Sequence, residues 1–146
     1  MYNPNDSAVT QYLHSLVGKR LSYCIKSPDT ELYDFGFLDD NDEANALNEL
    51  TLHALCCFKI IIHQPNCKSC LFESGTSLEK VKRRVSPLIG LAVKRVALSD
   101  KNDLWIDLGD YWLVFITYEN SKESWRLFNS NSDEPHLVVA DDWIDL

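Results

Sequence analysis

Apolar and polar positions alternate through the second half of the chain in a way that predicts a series of short β-strands. The apolar or alternating runs cover residues 102–110, 111–118, 123–128 and 136–139. Turn-forming residues separate the runs, as is typical of antiparallel strands that follow one another in the sequence. Gly109 and Asp110 suit a two-residue type II′ turn, in which glycine takes the positive φ. The stretch therefore predicts a β-meander.

Helical spacing of apolar residues precedes this meander and also occurs near the start of the chain. Residues 6–16 place apolar side chains on one face, and Gly18 is suited to end that helix. A second helix is predicted to start near Thr76 or Ser77, since either hydroxyl can cap the first free amides. Pro87 disfavours helical geometry in the residue before it, so the regular helix should end close to that point.

The helix and the strands after it occur twice, with a period of 72 residues. The matching positions are Val9 with Val81, Leu13 with Val85, Leu16 with Leu88 and Gly18 with Gly90. Further along, the alignment matches residues 55–61 with 112–118 and residues 68–72 with 123–127. Self-similarity at a fixed period indicates repeated structural units. We therefore predict one domain, 1–146, made of two tandem helix-plus-meander repeats, 5–75 and 76–146.

The predicted fold class is α+β, with antiparallel β-meanders from the two repeats and one helix per repeat packed on the sheet. A pseudo-twofold axis would relate the repeats. Residues 112–118 are apolar on both faces, which predicts an interior strand covered by a helix on one side. Residues 38–48 are acidic and predict a long surface loop in the first repeat.

Composition places the chain among globular proteins of the cytoplasm. The chain has 146 residues, of which 45% are hydrophobic, and no apolar run approaches the roughly 20 residues that cross a bilayer. The first residues lack the basic and apolar regions of a secretory signal. Five cysteines, an odd number, favour reduced thiols over a disulfide framework.

The net charge of −8 argues against nucleic acid and anionic membranes as partners, because both bind clustered Lys and Arg. Acidic clusters occupy residues 39–43 and 141–145. One interpretation is solvated surface that aids solubility. The other is an electrostatic face for a basic protein partner.

Trp105 is a predicted interface anchor, because it alternates onto the face opposite Leu104 and Ile106. Acidic residues flank it on both sides. The predicted binding residues are Asp39, Asp40, Asp42, Glu43, Trp105, Asp107, Asp141 and Asp142. The other aromatic residues of the second half, Trp112 and Trp125 among them, are predicted to be mostly core.

Cys67 and Cys70 have the spacing of a zinc-binding pair, and His63 with His53 or Cys57 could complete a tetrahedral site. Structural thiols are the favoured interpretation, and a redox dithiol is the least favoured. In the repeat alignment Cys70 takes the position of Trp125, as a core residue would. No metal and no cofactor is therefore predicted.

Catalytic signatures are missing from the sequence. Neither a glycine-rich phosphate loop nor an H-E-x-x-H motif occurs, and the four histidines do not cluster in the sequence. The carboxylates of Asp107 and Asp110 fall around a turn, where solubility explains them. No catalytic residue is predicted, and an enzyme would have to assemble its site from scattered residues.

The second half resembles a loose group of small bacterial proteins. Residues 104–113, 123–127 and 136–139 are similar to a shared theme: hydrophobic-x-Phe-Gly-x-x-Trp-x-Leu, then Glu-Ser-Trp-x-Leu, then His-x-Val-Val. Position 108 departs from it, with leucine in place of phenylalanine. Some of these proteins resemble immunity proteins of polymorphic toxin systems. Together with the acidic surface, the resemblance favours a non-enzymatic cytoplasmic protein-binding module, immunity-like, that neutralises a basic protein partner. A zinc-stabilised module and an enzyme remain the alternatives.

Overall fold

The computed structural model describes residues 7–26, 32–39, 49–62, 69–73 and 76–146. The described elements are two helices and eleven strands, which confirms the predicted α+β class. In chain order they are α1 (Ser7–His14), β1 (Arg20–Lys26), β2 (Tyr33–Leu38), β3 (Leu50–Ala54), β4 (Phe58–Ile62), β5 (Ser69–Phe72), α2 (Leu78–Val85), β6 (Arg95–Leu98), β7 (Leu104–Asp107), β8 (Tyr111–Phe115), β9 (Trp125–Asn129), β10 (Leu137–Val139) and β11 (Ile144–Asp145).

The strands form two antiparallel sheets that share one core. The six-stranded sheet has the order β1-β2-β3-β9-β10-β11, and the five-stranded sheet has the order β5-β4-β8-β7-β6. Phe35 of the first sheet places its ring 5.1 Å from that of Phe58 and 5.0 Å from that of Phe115, both in the second sheet. The inner faces of the two sheets therefore interlock through edge-to-face aromatic contacts.

Each predicted meander is divided between the two sheets. The chain places β1, β2 and β3 in the six-stranded sheet and then crosses to form β4 and β5 in the other. It next places β6, β7 and β8 in the five-stranded sheet before returning for β9, β10 and β11. By strand order, β3 corresponds to β8 and β4 to β9. The sequence alignment left β3 without a match. It therefore matched β4 with β8 and β5 with β9, one strand out of step.

Local signals place both ends of α2 as predicted, whereas α1 ends at His14, two residues before the predicted end. The Ser77 side chain accepts a hydrogen bond from the Lys80 amide at 3.3 Å, and a 3₁₀ turn with Pro87 at its centre follows α2. Gly18 and Gly90, the two glycines after the helices, have φ of 89° and 90°. Positive φ carries little steric penalty for glycine, so both residues make the turn from helix into strand without strain.

The described helices lie at the edges of the sheets. Helix α1 lies against β6, and α2 lies against β1. The prediction that a helix covers residues 112–118 is therefore wrong. On the outer face of β8 the side chains cover one another instead. In the part of the chain that the structure describes, no helix has both the length and the apolar character needed to cross a bilayer.

Candidate functional site

The outer face of the five-stranded sheet carries two tryptophans in its centre, and we call it the tryptophan face. Cross-strand register sets two rows of side chains on this face. One row runs Ala97, Trp105, Val114, Lys59 and Leu71, and the other runs Arg95, Asp107, Trp112 and Ile61. Trp105 and Trp112 are diagonal neighbours on β7 and β8, a separation that large side chains can span.

The two tryptophans contact each other and are flanked by cations. Their ring centroids lie 5.5 Å apart with an interplanar angle of 79°. The Lys59 ammonium is 5.8 Å from the centroid of the Trp105 ring, and the Arg95 guanidinium is 5.0 Å from that of Trp112. A cation over the face of an indole ring is attracted by its quadrupole, so each contact restricts a ring that is only half-buried.

Alternation along β7 explains why these rings face solvent. Leu104 and Ile106 point into the core and are fully buried, so Trp105 between them points outward. Val114 is also on the outer face but is 1% exposed, because Trp105 and Lys59 are its cross-strand neighbours. Trp112 was predicted to be a core residue, and that prediction is wrong: its strand position places it outside.

Asp107 is engaged within the chain. Its side chain is 12% exposed, and one carboxylate oxygen lies 2.9 Å from Nε of Arg95. The other accepts a hydrogen bond from the Gly109 amide at 2.9 Å. Gly109 has φ of 91°, as predicted for a type II′ turn. Asp107 therefore positions both the β7–β8 turn and the guanidinium that covers Trp112.

Asp141 and Asp142 lie in the turn between β10 and β11, at the end of the sandwich where β7 begins. Asp141 accepts the Ser121 amide at 3.0 Å, and Asp142 accepts the Ser121 hydroxyl. Asn102, two residues before β7, donates its side-chain amide to the Ala140 carbonyl at 2.9 Å. The structure thus brings this acidic turn to the same end of β7 as Trp105.

Asp39 is the one residue of the predicted 39–43 cluster that the structure describes, and its partner lies beside β1. The Asp39 carboxylate lies 2.9 Å from the ammonium of Lys19, whose side chain is 10% exposed. This contact fixes Asp39 beside the first strand of the other sheet. Asp40, Asp42 and Glu43 lie outside the described residues.

Three of the proposed zinc ligands lie outside the described part of the structure. These are His63, Cys67 and the side chain of Cys70. Within the described ranges, no group of three or more His, Cys, Asp or Glu side chains is arranged to hold a metal ion. Burial raises the pKa of the Cys24 and Cys56 thiols to about 12. These two cysteines are protonated core residues, as structural thiols are.

A second polar arrangement, which the sequence did not predict, lies on the outer face of the six-stranded sheet. Nε2 of His53 on β3 lies 3.0 Å from Oδ1 of Asp34 on β2, and the two side chains are 29% and 22% exposed. Burial raises the pKa of Asp34, although the charge of His53 opposes this. Burial lowers the pKa of His53, aided by the charges of Arg126 and His136. Both groups are thus shifted toward their neutral forms.

Aromatic and charged groups extend this arrangement along the sheet. The Phe128 ring meets His53 edge-on at 4.6 Å and stacks on His136 at 4.4 Å. Arg126 lies 3.2 Å from Nδ1 of His136 and pairs with Glu123 at 2.5 Å. The ordering of these groups separates the two imidazoles by a phenyl ring. The imidazole of His53 can take up a proton. It contacts the carboxylate of Asp34 and the phenyl ring of Phe128.

The signal for this second arrangement was present in residues 50–54. Leu50, Leu52 and Ala54 alternate with Thr51 and His53, which is the pattern of a strand with one buried face. The partner of His53 could not be found in the same way, because Asp34 is its neighbour only through strand pairing. No family model, curated protein or solved structure matches the chain, so its function must be inferred from these two faces.

Proposed function

We propose that this chain is a cytoplasmic, non-enzymatic protein-binding module whose docking surface is the tryptophan face. The observation that carries this proposal is the Trp105–Trp112 pair, held edge-to-face on the solvent side of a sheet. The core does not need these rings, since Leu104, Ile106, Leu113 and Phe115 already fill the inner side of β7 and β8.

Tryptophan and arginine are the residues that most often dominate the energy of protein interfaces. On this face they are also ordered before any partner binds. Arg95 is held by Asp107 and covers Trp112, while Lys59 covers Trp105. Ordering the side chains in advance lowers the entropy that binding would cost. Leu71, which is 47% exposed on β5, extends the apolar part of the surface toward the sheet edge.

A basic protein is the partner that the charge distribution favours. The net charge of the chain is −8, and the turn with Asp141 and Asp142 lies at the end of β7 nearest Trp105. Complementary charge at the rim of an interface speeds encounter, while aromatic anchors slow dissociation. Neutralisation of a basic protein, as the resemblance to immunity proteins implies, would combine these two properties. The proposal requires no cofactor.

The test is to purify the protein from its own host, identify the co-purifying protein by mass spectrometry and rebuild the complex from pure components. Calorimetry then compares wild type with Trp105→Ala and Trp112→Ala. We expect each to weaken binding by about 30-fold, the loss for a hot-spot residue that contributes about 2 kcal/mol. Phe128→Ala is the matched control, since it removes a half-buried aromatic ring from the other sheet and should leave Kd unchanged.

Salt dependence tests the charge of the partner separately. Asp142→Lys should slow association at low ionic strength and have little effect at high ionic strength, because salt screens exposed charges. A partner that binds both tryptophan variants as tightly as wild type would refute the docking surface. A complex that is insensitive to salt and to Asp142→Lys would refute the basic partner. The docking surface would then be tested by the tryptophan variants alone.

A further inference from the structure

Helix α2 carries a concentration of positive charge on its solvent side. Its apolar stripe, Val81 and Val85, is buried against the core. The side chains around the stripe include four exposed cations, which we call the basic helix face: Lys80, Lys82, Arg83 and Arg84. Strand β1, which α2 lies against, begins with Arg20 and ends with Lys26. These two elements contain six cations and a single carboxylate, that of Glu79, although the chain as a whole has a net charge of −8.

The arginines of this face differ from the other arginines of the chain. Each of the other three has a partner, which is a carbonyl for Arg20 and a carboxylate for Arg95 and Arg126. Among the described residues, no ion pair or side-chain hydrogen bond engages Arg83, Arg84 or the two lysines of α2. A guanidinium group binds carboxylates through two parallel hydrogen bonds. Two such groups therefore face solvent side by side on one short helix.

Helix α1 shows that the fold does not require this charge. Val9 and Leu13 of α1 correspond to Val81 and Val85, 72 residues later, and are buried in the same way. At the positions that correspond to the four cations, α1 has only uncharged residues: Ala8, Thr10, Gln11 and Tyr12. Both helices have eight residues and pack beside a strand. The positive charge is therefore a property of the surface of α2 and not of its packing.

The helix dipole accounts for only part of this charge. Cations in the last turn of a helix interact favourably with the dipole, and Lys82, Arg83 and Arg84 are placed in this way. Lys80 is in the first turn, where the dipole disfavours a cation. It also precedes Arg84 by four residues, so the two like charges are neighbours on the helix surface and repel each other. An anion bound across this face relieves that repulsion.

We propose that the basic helix face binds an extended acidic segment of a partner protein, whose Asp and Glu side chains pair with Lys80, Arg83 and Arg84. Residues three and four apart share one side of a helix, so these three cations act together. The eight residues of α2 span about 12 Å, which is the length of about four residues of extended chain. The site is separate from the tryptophan face and does not depend on it.

The charge of the rest of the chain favours a short segment over larger anions. Exposed charges interact over roughly 8 Å at physiological ionic strength, so a segment that covers only α2 responds to the local cations. A nucleic acid or an anionic membrane extends well beyond that distance and meets the surrounding surface of a chain with a net charge of −8. A second copy of the chain brings the same net negative charge with it.

The experiment selects ligands from a displayed library of random linear peptides about eight residues long, twice the stretch that covers α2. Peptides that bind the variant Arg83→Glu are removed first, which depletes ligands of other surfaces. The peptides then recovered on wild type should be rich in Asp and Glu. Selected peptides are synthesised, and their binding is measured by fluorescence polarisation on wild type and on variants that were not used in the selection.

We expect Lys80→Glu and Arg84→Glu each to weaken binding by about tenfold, because charge reversal replaces an attraction by a repulsion. Glutamate in the first turn favours the helix, so weaker binding by Lys80→Glu does not result from loss of α2. Lys101→Glu is the matched control. It makes the same change in net charge at an exposed position between β6 and β7, and it should alter binding by less than about twofold.

Failure to recover any peptide that prefers wild type, or peptides without an excess of Asp and Glu, would overturn the proposal. Equal binding to Lys80→Glu and Lys101→Glu would overturn it as well. Labelled duplex DNA or phosphatidylserine vesicles that bind wild type more tightly than the peptides, and are lost in Arg84→Glu, would assign the face to that anion instead. Light scattering that shows a dimer lost in Arg84→Glu would assign it to a second copy. Either result would refute the acidic segment.

Discussion

Arg20 and Ala92 form an isolated antiparallel bridge, and these are the same position in the two predicted repeats, 72 residues apart. The hydrogen bonds around the bridge form two pairs. Within a pair, one bond is converted into the other when 72 is added to the residue number from the first repeat and subtracted from that of the second. They run from the amides of Gly18 and Gly90 to the carbonyls of Val93 and Leu21 at 2.9 and 2.7 Å, and from the amides of Leu21 and Val93 to the carbonyls of Leu91 and Lys19 at 3.1 and 2.8 Å. The junction therefore has a local two-fold relation.

The placement of the helices agrees with that local relation. Helix α1 lies against β6, the first strand after α2, and α2 lies against β1, the first strand after α1. The order β1-β2-β3-β9-β10 in one sheet likewise corresponds to β6-β7-β8-β4-β5 in the other. Duplication of an ancestral unit and a pseudo-twofold axis for the whole chain stay predictions.

The junction predicts equal sensitivity at its two glycines. Gly18→Ala and Gly90→Ala should each lower the free energy of unfolding by about 1–2 kcal/mol, the cost of a side chain at positive φ. An added Cβ meets no atom within 4 Å at either site, so backbone strain is the main contribution. Denaturant unfolding measures both, with Gln11→Ala as an exposed control. Two stable variants would show that the junction does not require positive φ.

Features that depend on neighbouring residues were predictable from the sequence. The Ser77 cap, the end of α2 before Pro87 and the positive φ of Gly109 each follow from a few adjacent residues, and each is observed. The outward position of Trp105 follows from alternation alone. These signals are local, so one sequence suffices to find them.

Pairings between distant strands were not predictable in this way. Trp112 was predicted to be core because aromatic side chains bury large areas, and only the β7–β8 register shows that it lies on the outer face beside Trp105. The pair of Asp34 and His53 depends on β2 and β3 being neighbours, although they are separated in the sequence. Alternation along a strand predicts which face of the sheet a residue occupies, but it does not predict which strand lies beside it.

Phe58 is the ring that joins most of the aromatic core. Its centroid lies between 4.9 and 5.9 Å from those of Tyr33, Phe35, Phe72 and Phe115. Phe58→Leu should lower the free energy of unfolding by about 1–3 kcal/mol, because the ring contacts are lost in addition to apolar area. Thermal unfolding compares it with Phe128→Leu on the outer face, which should cost less. Equal costs would mean that the ring cluster adds nothing beyond burial.

Asn102 holds the acidic turn to the start of β7, and its two roles can be separated. It has φ of 64° and is 1% exposed, and its carbonyl accepts the Trp125 indole N–H at 3.1 Å. Asn102→Gly keeps the backbone conformation but leaves the buried Ala140 carbonyl without its side-chain donor, for a loss of about 1–3 kcal/mol. Asn102→Ala should cost about 1 kcal/mol more, because alanine adds strain at positive φ. If Asn102→Ala proves as stable as Asn102→Gly, the positive φ of this residue makes no contribution to the free energy of unfolding.

The buried thiols should be unreactive in the folded protein. Burial raises the pKa of Cys24 and Cys56 to about 12, so almost no thiolate is present near neutral pH. Iodoacetamide labelling followed by peptide mass spectrometry should modify these two cysteines only after denaturant is added. The half-buried Cys57 serves as the comparison in the same digest. Rapid native labelling of Cys24 would show that β1 opens readily, contrary to its position in the core.

Acidification should destabilise the fold through His53. Burial lowers its pKa below the ordinary value of 6.5, with Arg126 and His136 acting in the same direction. Between the lowered pKa and 6.5 the unfolded chain binds more protons than the folded chain, so the free energy of unfolding falls as the pH falls. Wild type should therefore lose stability more steeply than His53→Gln between about pH 7.5 and about pH 5.5.

Asp34→Asn tests the same window from the other side of the pair. The Asp34 carboxylate raises the pKa of His53, so its removal should lower that pKa further and make the loss of stability on acidification steeper than in wild type. Asp34 itself has a raised pKa, so protonating it stabilises the fold at lower pH, and the variant also lacks that contribution. Both effects have the same sign. Parallel pH profiles for wild type, His53→Gln and Asp34→Asn would show that the pair does not couple proton binding to folding.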